Sequence, residues 1–293
     1  MGLQLPARTG SAPRFRRPSL LALSSLGLVV LTGCSSETKG EWERLAMPEP
    51  ITEQGEHTLA LWQGAWIAAL LTGALVWGLI FYAVWRFRRR SDDEVPIQTR
   101  YNLPLEIFYT IFPIIMVVVF FSHTVQTQNI LTDDTGEPDN EITVVGQQWS
   151  WTFNYPHASD DGSWVFEGGT ANIVPTLVIP VDETTEFSLV SPDVIHDFGV
   201  PGFLMKMDVV PGQINSFRVT PTETGEFAGK CYELCGVSHS RMIFNLEVVE
   251  REDYEAHLDE LAAAGKVSDE ALTGGEFADK QAGLESESEE ESE

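Results

Sequence analysis

Residues 225–249 read G-E-F-A-G-K-C-Y-E-L-C-G-V-S-H-S-R-M-I-F-N-L-E-V-V, and this stretch decides the fold of the second half of the chain. Residues 225–230 and 242–249 alternate apolar and polar side chains, the pattern of strands with one buried face. Between them, two cysteines, a histidine and a methionine fall within twelve residues. The stretch therefore predicts two strands joined by a loop rich in metal-binding side chains.

Similar alternating runs lie upstream of this stretch, and glycine and proline separate them, as at Pro211 and Gly212. The predicted strands are residues 141–155, 176–181, 185–190, 214–220, 225–230 and 242–249. Short strands at this spacing are typical of a Greek-key β-sandwich. Residues 133–265 are therefore predicted to form one all-β domain, closed by a helix over residues 252–264.

Two long apolar segments precede this domain, at residues 59–85 and 103–123. Each is long enough to cross a hydrocarbon layer of roughly 30 Å, and a kink is expected at Pro113 of the second. The arginines between them mark the cytoplasmic side; they are Arg86, Arg88, Arg89 and Arg90. Residues 59–125 are therefore predicted to form a transmembrane hairpin with both ends outside the cytoplasm.

The amino terminus has the layout of a secretory signal, with four arginines, an apolar run and then small residues before Cys34. Its Leu-Thr-Gly-Cys ending resembles the bacterial lipoprotein motif, which implies removal of residues 1–33 and lipid attachment to the Cys34 thiol. The alternative is an uncleaved signal with an incidental cysteine. Residues 34–58 would then be an exported segment of a bacterial membrane protein.

The chain is strongly acidic, with 44 aspartates and glutamates against 18 lysines and arginines, a net charge of −26. Such a charge excludes nucleic acid as a partner. Residues 266–293 end in six glutamates among nine residues, and this composition predicts a disordered tail. The tail has two interpretations, a solubilising segment or an attractor of a basic partner.

The side chains of the loop, together with His196 in S-P-D-V-I-H-D-F-G-V-P, form a soft donor set that favours copper. A disulfide between Cys231 and Cys235 would leave both histidines and Met242 unexplained. Zinc gains nothing from a thioether, and a mononuclear blue copper site needs only one thiolate. Two thiolates, two imidazoles and a thioether fit two copper ions bridged by both sulfurs.

The segment C-Y-E-L-C-G-V-S-H-S-R-M, residues 231–242, resembles the binuclear copper motif of cytochrome oxidase subunit II, C-x-E-x-C-G-x-x-H-x-x-M. The similarity extends from the first apolar segment to Val249 and implies a cupredoxin-like fold. It also implies that Cys231 and Cys235 bridge two coppers. The remaining implied ligands are His196, His239, the axial Met242 and the backbone carbonyl of Glu233, whose side chain would bind a magnesium ion shared with subunit I.

Three further segments resemble the same family and imply roles outside the copper ligands. In G-Q-Q-W-S-W-T-F-N-Y, Trp149 would be the electron-entry residue, although the aromatic residues also fit one strand face. In L-E-I-F-Y-T-I-F-P, Glu106 would stand at the mouth of a proton path, or simply favour the helix start. Lys206 and Asp208 match a stretch near the magnesium site, although a capped turn explains Asp208 equally well.

The resemblance implies an electron-entry subunit of a cytochrome c oxidase complex with subunits I and III. Electrons from cytochrome c, or from a membrane-bound c-type cytochrome, would pass to haem in subunit I, where oxygen is reduced to water and protons are pumped. No C-x-x-C-H occurs, so the donor haem is on another protein. Alternatives are a quinol oxidase subunit, which lacks the copper ligands, a nitric oxide reductase subunit and a copper chaperone.

Overall fold

The computed structural model describes residues 36–91, 93–157, 163–170 and 172–274. The predicted signal peptide, Cys34 and residues 275–293 of the acidic tail lie outside these ranges. The chain divides into two compact units, residues 1–46 and 47–293. In the first unit the described residues contain one helix, α1 (Ser36–Glu43).

The predicted hairpin is present as two helices, α2 (Glu53–Arg86) and α3 (Leu103–Leu131), each long and apolar enough to cross a membrane. The Thr52 hydroxyl caps α2 by accepting a hydrogen bond from the Gly55 N–H at 3.0 Å. No residue of α3 is buried within the chain, so its apolar surface is available to lipid or to another subunit. The helix continues through Pro113.

The carboxyl-terminal domain is a β-sandwich, as the sequence predicts, with eleven strands among the described residues. They are β1 (Asn140–Gln147), β2 (Ser150–Pro156), β3 (Trp164–Gly168), β4 (Thr176–Pro180), β5 (Thr185–Val190), β6 (His196–Val200), β7 (Met205–Val209), β8 (Asn215–Val219), β9 (Gly225–Cys231), β10 (Ile243–Val249) and β11 (Val267–Ser268). One sheet has the order β11-β3-β2-β1-β5-β8, and the other has the order β4-β10-β9-β6-β7. The parallel pairs β1–β5 and β4–β10 are the crossover pairings of this cupredoxin-like Greek-key arrangement.

The sequence prediction of one strand over residues 141–155 is wrong. The chain reverses at Gln148 and Trp149, so that β1 and β2 pair antiparallel, with Gln147 opposite Ser150. The sequence analysis also missed β3, β6, β7 and the short β11. In β6 every residue is buried although the strand contains His196, Asp197 and Gly199, so no apolar–polar alternation marks it.

Aromatic rings fill the space between the two sheets. Phe198 and Phe244 stack with their centroids 4.9 Å apart, and Trp151 meets both rings edge-on. Gly229 makes room for Phe244, because a Cβ atom at that position would lie 1.9 Å from the phenyl ring. The core therefore depends on one glycine in β9 to accept a large ring from β10.

A closing helix, α4 (Arg251–Ala263), follows the last long strand. The chain then pairs Val267 with Val165, and Leu272 exchanges two hydrogen bonds with the buried Asn154 side chain. Residues 266–274 therefore belong to the sandwich, which corrects the predicted tail boundary at 266.

Candidate metal centre

Adjacent strands and one loop bring the predicted ligands together. His196 is the first residue of β6 and Cys231 the last of β9, and these strands are hydrogen-bonded neighbours in one sheet. Cys235 and His239 lie in the loop that follows β9, and Met242 directly precedes β10. The sheet therefore fixes the two ends of the loop, and the loop folds back over the first cysteine.

All five side chains converge on one point of the sandwich end. The Sγ atoms of Cys231 and Cys235 are 3.9 Å apart. His196 Nδ1 lies 3.9 Å from the first sulfur, and His239 Nδ1 lies 3.5 Å from the second. Met242 Sδ is 3.7 Å from Cys235 Sγ. Each thiol thus has an imidazole neighbour, His196 beside Cys231 and His239 beside Cys235.

The cluster is largely shielded from water. Both cysteines are only 4% exposed, and Met242 and His196 are fully buried, while His239 is partly exposed. The backbone carbonyl oxygen of Glu233 lies 3.2 Å from Cys231 Sγ. The Glu233 side chain points outward and is exposed. The backbone oxygen that the family resemblance implies as a ligand therefore lies beside Cys231.

The two thiols are not joined in a disulfide. Their 3.9 Å separation is almost twice the roughly 2.05 Å of an S–S bond. A single ion can contact both sulfurs at a metal–sulfur distance of roughly 2.3 Å across such a gap. Ligand atoms of His196, Cys231 and Cys235 all lie within 4.8 Å of one another. The residues present therefore fit a soft metal ion.

Asp193, which the sequence analysis overlooked, orients His196. Its carboxylate accepts a hydrogen bond from His196 Nε2 at 2.9 Å, and the other ring nitrogen, Nδ1, is directed at Cys231 Sγ. Burial alone would lower the pKa of His196, but the Asp193 and Cys231 contacts outweigh it and raise the pKa. The same carboxylate also accepts the Gln148 N–H at 2.7 Å and the Val194 N–H at 2.6 Å.

The two thiols differ in acidity. Burial favours the neutral form of Cys231, but hydrogen bonds from His196 and from backbone N–H groups outweigh it and lower the pKa. Burial and the neighbouring Cys231 sulfur raise the pKa of Cys235. A thiolate at Cys231 therefore opposes ionisation of Cys235, and a cation between the sulfurs would stabilise the doubly deprotonated pair.

Trp149 lies in the β1–β2 turn against the cluster. Its indole N–H donates to the Cys235 carbonyl oxygen at 3.2 Å, and the Gln148 side-chain amide donates to the same oxygen at 2.6 Å. Gly236, with φ +126°, allows this approach, because a Cβ there would lie 3.0 Å from the indole nitrogen. The alternative in which Trp149 shares one strand face with Trp151, Phe153 and Tyr155 is wrong: those three are buried strand residues.

The remaining predicted residues lie apart from the cluster or beside it. Glu106 is in the first turn of α3, where its carboxylate accepts the Asn102 backbone N–H at 3.0 Å. Lys206 is paired with the buried carboxylate of Asp197, and Asp208 stands opposite Asp197 in the β6–β7 register. Asp197 was missed because nothing in the sequence distinguishes a buried acid from an exposed one. Its second carboxylate oxygen has no hydrogen-bond partner among the described residues.

The fold and the site define a class of protein, a β-sandwich with a buried thiolate, imidazole and thioether metal site, attached to a membrane hairpin. Residues 141–249 match the family model for the periplasmic domain of cytochrome c oxidase subunit II. The chain belongs to the cytochrome c oxidase subunit II family.

Curated relatives match over most of their length. A probable cytochrome c oxidase subunit 2 of Streptomyces avermitilis is 44% identical, over 89% of this chain and 92% of the relative. Cytochrome c oxidase subunit 2 of Mycobacterium tuberculosis strain H37Rv is 33% identical, over 90% of this chain and 86% of the relative. The crystal structure of the periplasmic domain of the Bradyrhizobium japonicum subunit II is 28% identical with a TM-score of 0.40, and covers 44% of this chain and 97% of that domain.

Proposed function

We propose that this chain is the electron-entry subunit of a respiratory cytochrome c oxidase and that its sandwich domain holds a binuclear copper centre. The observation that carries the proposal is the convergence of two thiols, two imidazoles and a thioether in one buried cluster. Each imidazole approaches a different sulfur, an arrangement suited to two ions that share both thiolates.

The chain's own residues account for the properties that such a centre needs. Cys231 and Cys235 would bridge two copper ions, with His196 and His239 on opposite ions and Met242 and the Glu233 carbonyl as weak ligands. When bound, the two coppers would accept and release one electron with little rearrangement. The sheet edge and the Asp193 hydrogen bond hold the ligands in place, and burial keeps water away. Buried ligands also disfavour a chaperone, whose ligands must be open to exchange.

The entry of electrons is assigned to Trp149. Its indole is partly exposed, and its N–H bonds directly to the carbonyl of a proposed bridging cysteine. A donor haem that docks over this ring would be connected to the copper ligands through one hydrogen bond and the Cys235 backbone. Gln148 supports the same contact through a second hydrogen bond to that carbonyl.

Membership of the family supports a proposal for the wider assembly. The partners would be subunits I and III and a cytochrome c or a membrane-bound c-type cytochrome, with oxygen reduced to water and protons pumped in subunit I. The names of the relatives favour an oxidase over a nitric oxide reductase. Glu233 would share a magnesium ion with subunit I, and Glu106 would stand at a proton path. Both termini and the sandwich would lie outside the cytoplasm of a bacterial cell, with Cys34 as the lipid anchor.

The test is the order of electron arrival in the purified oxidase complex. Reduced cytochrome c is mixed with the oxidised complex in a stopped-flow instrument, and the copper absorption band and the haem bands are followed together. The proposal predicts that the copper band changes first and that haem reduction follows it. Haem reduction with an unchanged copper band would contradict the proposal.

A further inference from the structure

The segment of residues 50–54, at the start of the first membrane helix, is hydrogen-bonded into the sandwich. The Ile51 N–H donates to the Gly202 carbonyl oxygen at 2.9 Å. The Glu53 N–H donates to the Thr220 carbonyl oxygen at 3.0 Å. Gly202 belongs to the turn after β6, and Thr220 lies in the connection between β8 and β9. The segment therefore joins two separate connections of the sandwich.

The same segment is buried as well as hydrogen-bonded. Ile51 is 2% exposed, and Thr52 is fully buried. Gly202 leaves room for the isoleucine, since a Cβ atom there would lie 2.9 Å from Ile51 Cγ1. Gly55 leaves room for the helix start, because its Cβ would lie 3.2 Å from the Phe203 carbonyl oxygen. Two glycines, one on each side of the contact, thus let the segment pack closely against the sandwich.

The connections that this segment contacts continue into the two strands that carry metal-site residues. β6 begins at His196 and leads into the turn that contains Gly202. β9 ends at Cys231 and begins shortly after Thr222, whose N–H donates to the Ile51 carbonyl oxygen at 2.9 Å. The two strands are hydrogen-bonded neighbours. Continuous sheet therefore connects the segment to the end of the sandwich that holds the metal site.

The other link between the hairpin and the sandwich has little support of its own. Residues 132–139 lead from α3 into β1, and all of them except Pro138 are exposed. A domain that is held by one exposed linker is free to rotate about it. The contact of residues 50–54 is a second attachment, and it removes this freedom because the sandwich is then held at two places on the hairpin.

A small rotation of the sandwich would displace its metal end by a large distance. Six steps along β9 at about 3.3 Å each separate the two ends by roughly 20 Å, so a rotation of about 10° would move the metal end by about 3.5 Å. Electron transfer between two centres slows steeply as their separation increases. A misplacement that arises far from the reacting groups can therefore lower the rate of the reaction itself.

We propose that residues 50–54 are a positioning strut, which fixes the metal end of the sandwich relative to the membrane hairpin and so sets the rate of electron transfer from the copper centre to haem. This inference rests on the proposed function and adds positioning residues outside the metal site. A segment that only stabilised the fold would change the free energy of unfolding and leave the rate of this internal step unaltered.

One substitution removes a hydrogen bond of the strut and still allows the helix to form. Glu53 is the first residue of α2, where proline is well tolerated because the N–H has no partner within the helix. Thr52 has φ −136° and ψ 153°, an extended conformation that suits the residue before a proline. Glu53→Pro therefore deletes the donor to Thr220. Glu53→Gln is the matched control, since it removes the same charge and keeps the N–H.

A second pair of variants tests the buried contact. Ile51→Ala leaves a cavity against Gly202, so the strut loses its packing while its backbone hydrogen bonds can still form. Ile51→Val is the conservative variant, because it lacks only one methyl group and keeps most of the contact.

The experiment measures electron transfer inside the purified oxidase complex. A flash-activated ruthenium photoreductant reduces the copper band, and the reoxidation of this band is followed together with the reduction of haem. We expect E53P and I51A to slow this internal step about threefold or more, and E53Q and I51V to stay close to the native rate. The copper content and the second-order rate of electron transfer from cytochrome c should be native in all forms.

A native internal rate in both E53P and I51A would overturn the proposal. An equal loss in E53P and E53Q would also overturn it, because the loss would then come from the charge of Glu53. If I51A fails to assemble with the other subunits, E53P alone decides. If the photoreductant fails to reduce a copper band in the native complex, the result counts against the copper centre itself and not against the strut.

Discussion

At the scale of single residues, the cluster depends on contacts that no spacing rule contains. Asp193 lies three residues before His196, and its carboxylate accepts hydrogen bonds both from that imidazole and from the turn that contains Trp149. The ligand residues themselves are recognisable from the sequence because thiolate, imidazole and thioether side chains at this spacing share one chemistry. The residues that hold these ligands in place are not recognisable from the sequence, because an aspartate or glutamine in a loop looks the same whether or not it contacts a ligand.

The Trp149→Phe variant tests the proposed electron-entry residue. The ring would remain, but the N–H that donates to the Cys235 carbonyl would be lost. We expect the rate of electron transfer from cytochrome c to fall about tenfold or more, with the copper content and reduction by a small reductant unchanged. Stopped-flow kinetics on the oxidase complex measure both. A rate equal to that of the native complex would remove Trp149 from the path.

The Met242→Leu variant tests the proposed weak metal ligand. Leucine has similar volume, so the fully buried position should stay packed. Without the thioether the oxidised state loses a donor, and we expect both coppers to remain while the reduction potential rises. A redox titration followed through the copper absorption band measures the shift. An unchanged potential would show that Met242 is a packing residue only.

At the scale of elements, the sandwich depends on close approach between β9 and β10. Gly229→Ala would place a methyl group 1.9 Å from the Phe244 ring, which is stacked on Phe198 and cannot retreat. We expect a loss of about 3 kcal/mol in the free energy of unfolding of the domain over residues 132–274. Urea denaturation measures it. Gly212→Ser would be a poor control, because Gly212 has a positive φ. The matched control is Ala228→Gly, which lies in the same strand as Gly229.

The carboxyl-terminal segment adds a second element-scale prediction. Asn154→Ala would remove both hydrogen bonds to the Leu272 backbone and one to the Thr143 carbonyl. We expect a loss of about 1 to 3 kcal/mol in the free energy of unfolding, because buried polar groups lose their partners. The exposed Asn245→Ala should change it by less than about 0.5 kcal/mol. A chain that ends at residue 265 lacks Leu272. If Asn154→Ala lowers the free energy of unfolding of that shorter chain as much as it lowers that of the longer one, the Asn154–Leu272 hydrogen bonds contribute nothing to stability.

Helix α4 contains a buried histidine, His257, and its lowered pKa predicts that the free energy of unfolding depends on pH. Burial lowers the pKa of His257, and its Nε2 has no hydrogen-bond partner among the described residues. Glu167, Glu247 and Glu260 oppose the shift, and Lys266 adds to it. Because the folded state holds the proton more weakly than the unfolded chain does, stability falls as the pH drops below about 6.5.

We expect His257→Gln to reduce the loss of stability between pH 7.5 and pH 5.5 in the copper-free domain. Urea denaturation at the two pH values gives the comparison directly. If the variant and the native domain lose the same free energy of unfolding between the two pH values, His257 has the same pKa in the folded and unfolded states, which would contradict the prediction.

At the scale of the whole molecule, the hairpin and the sandwich are joined by more than the chain itself. Ile51 is 2% exposed and lies against Gly202, and the Glu53 N–H donates to the Thr220 carbonyl at 3.0 Å. The sequence predicted the hairpin and the sandwich separately. The length of an apolar segment and the alternation of apolar and polar residues in a strand are both local patterns, read from neighbouring residues. This junction was not predictable, because it pairs residues that lie about 150 to 170 positions apart in the chain and share no pattern.

The central claim is the binuclear copper centre, and copper counting with electron paramagnetic resonance tests it most directly. The full-length chain is purified in detergent without subunit I, so that any copper belongs to this chain. The account predicts two coppers per chain and a mixed-valence spectrum in which one unpaired electron is shared equally by both nuclei. One copper, bound zinc, or a Cys231–Cys235 disulfide in the copper-loaded protein would contradict it.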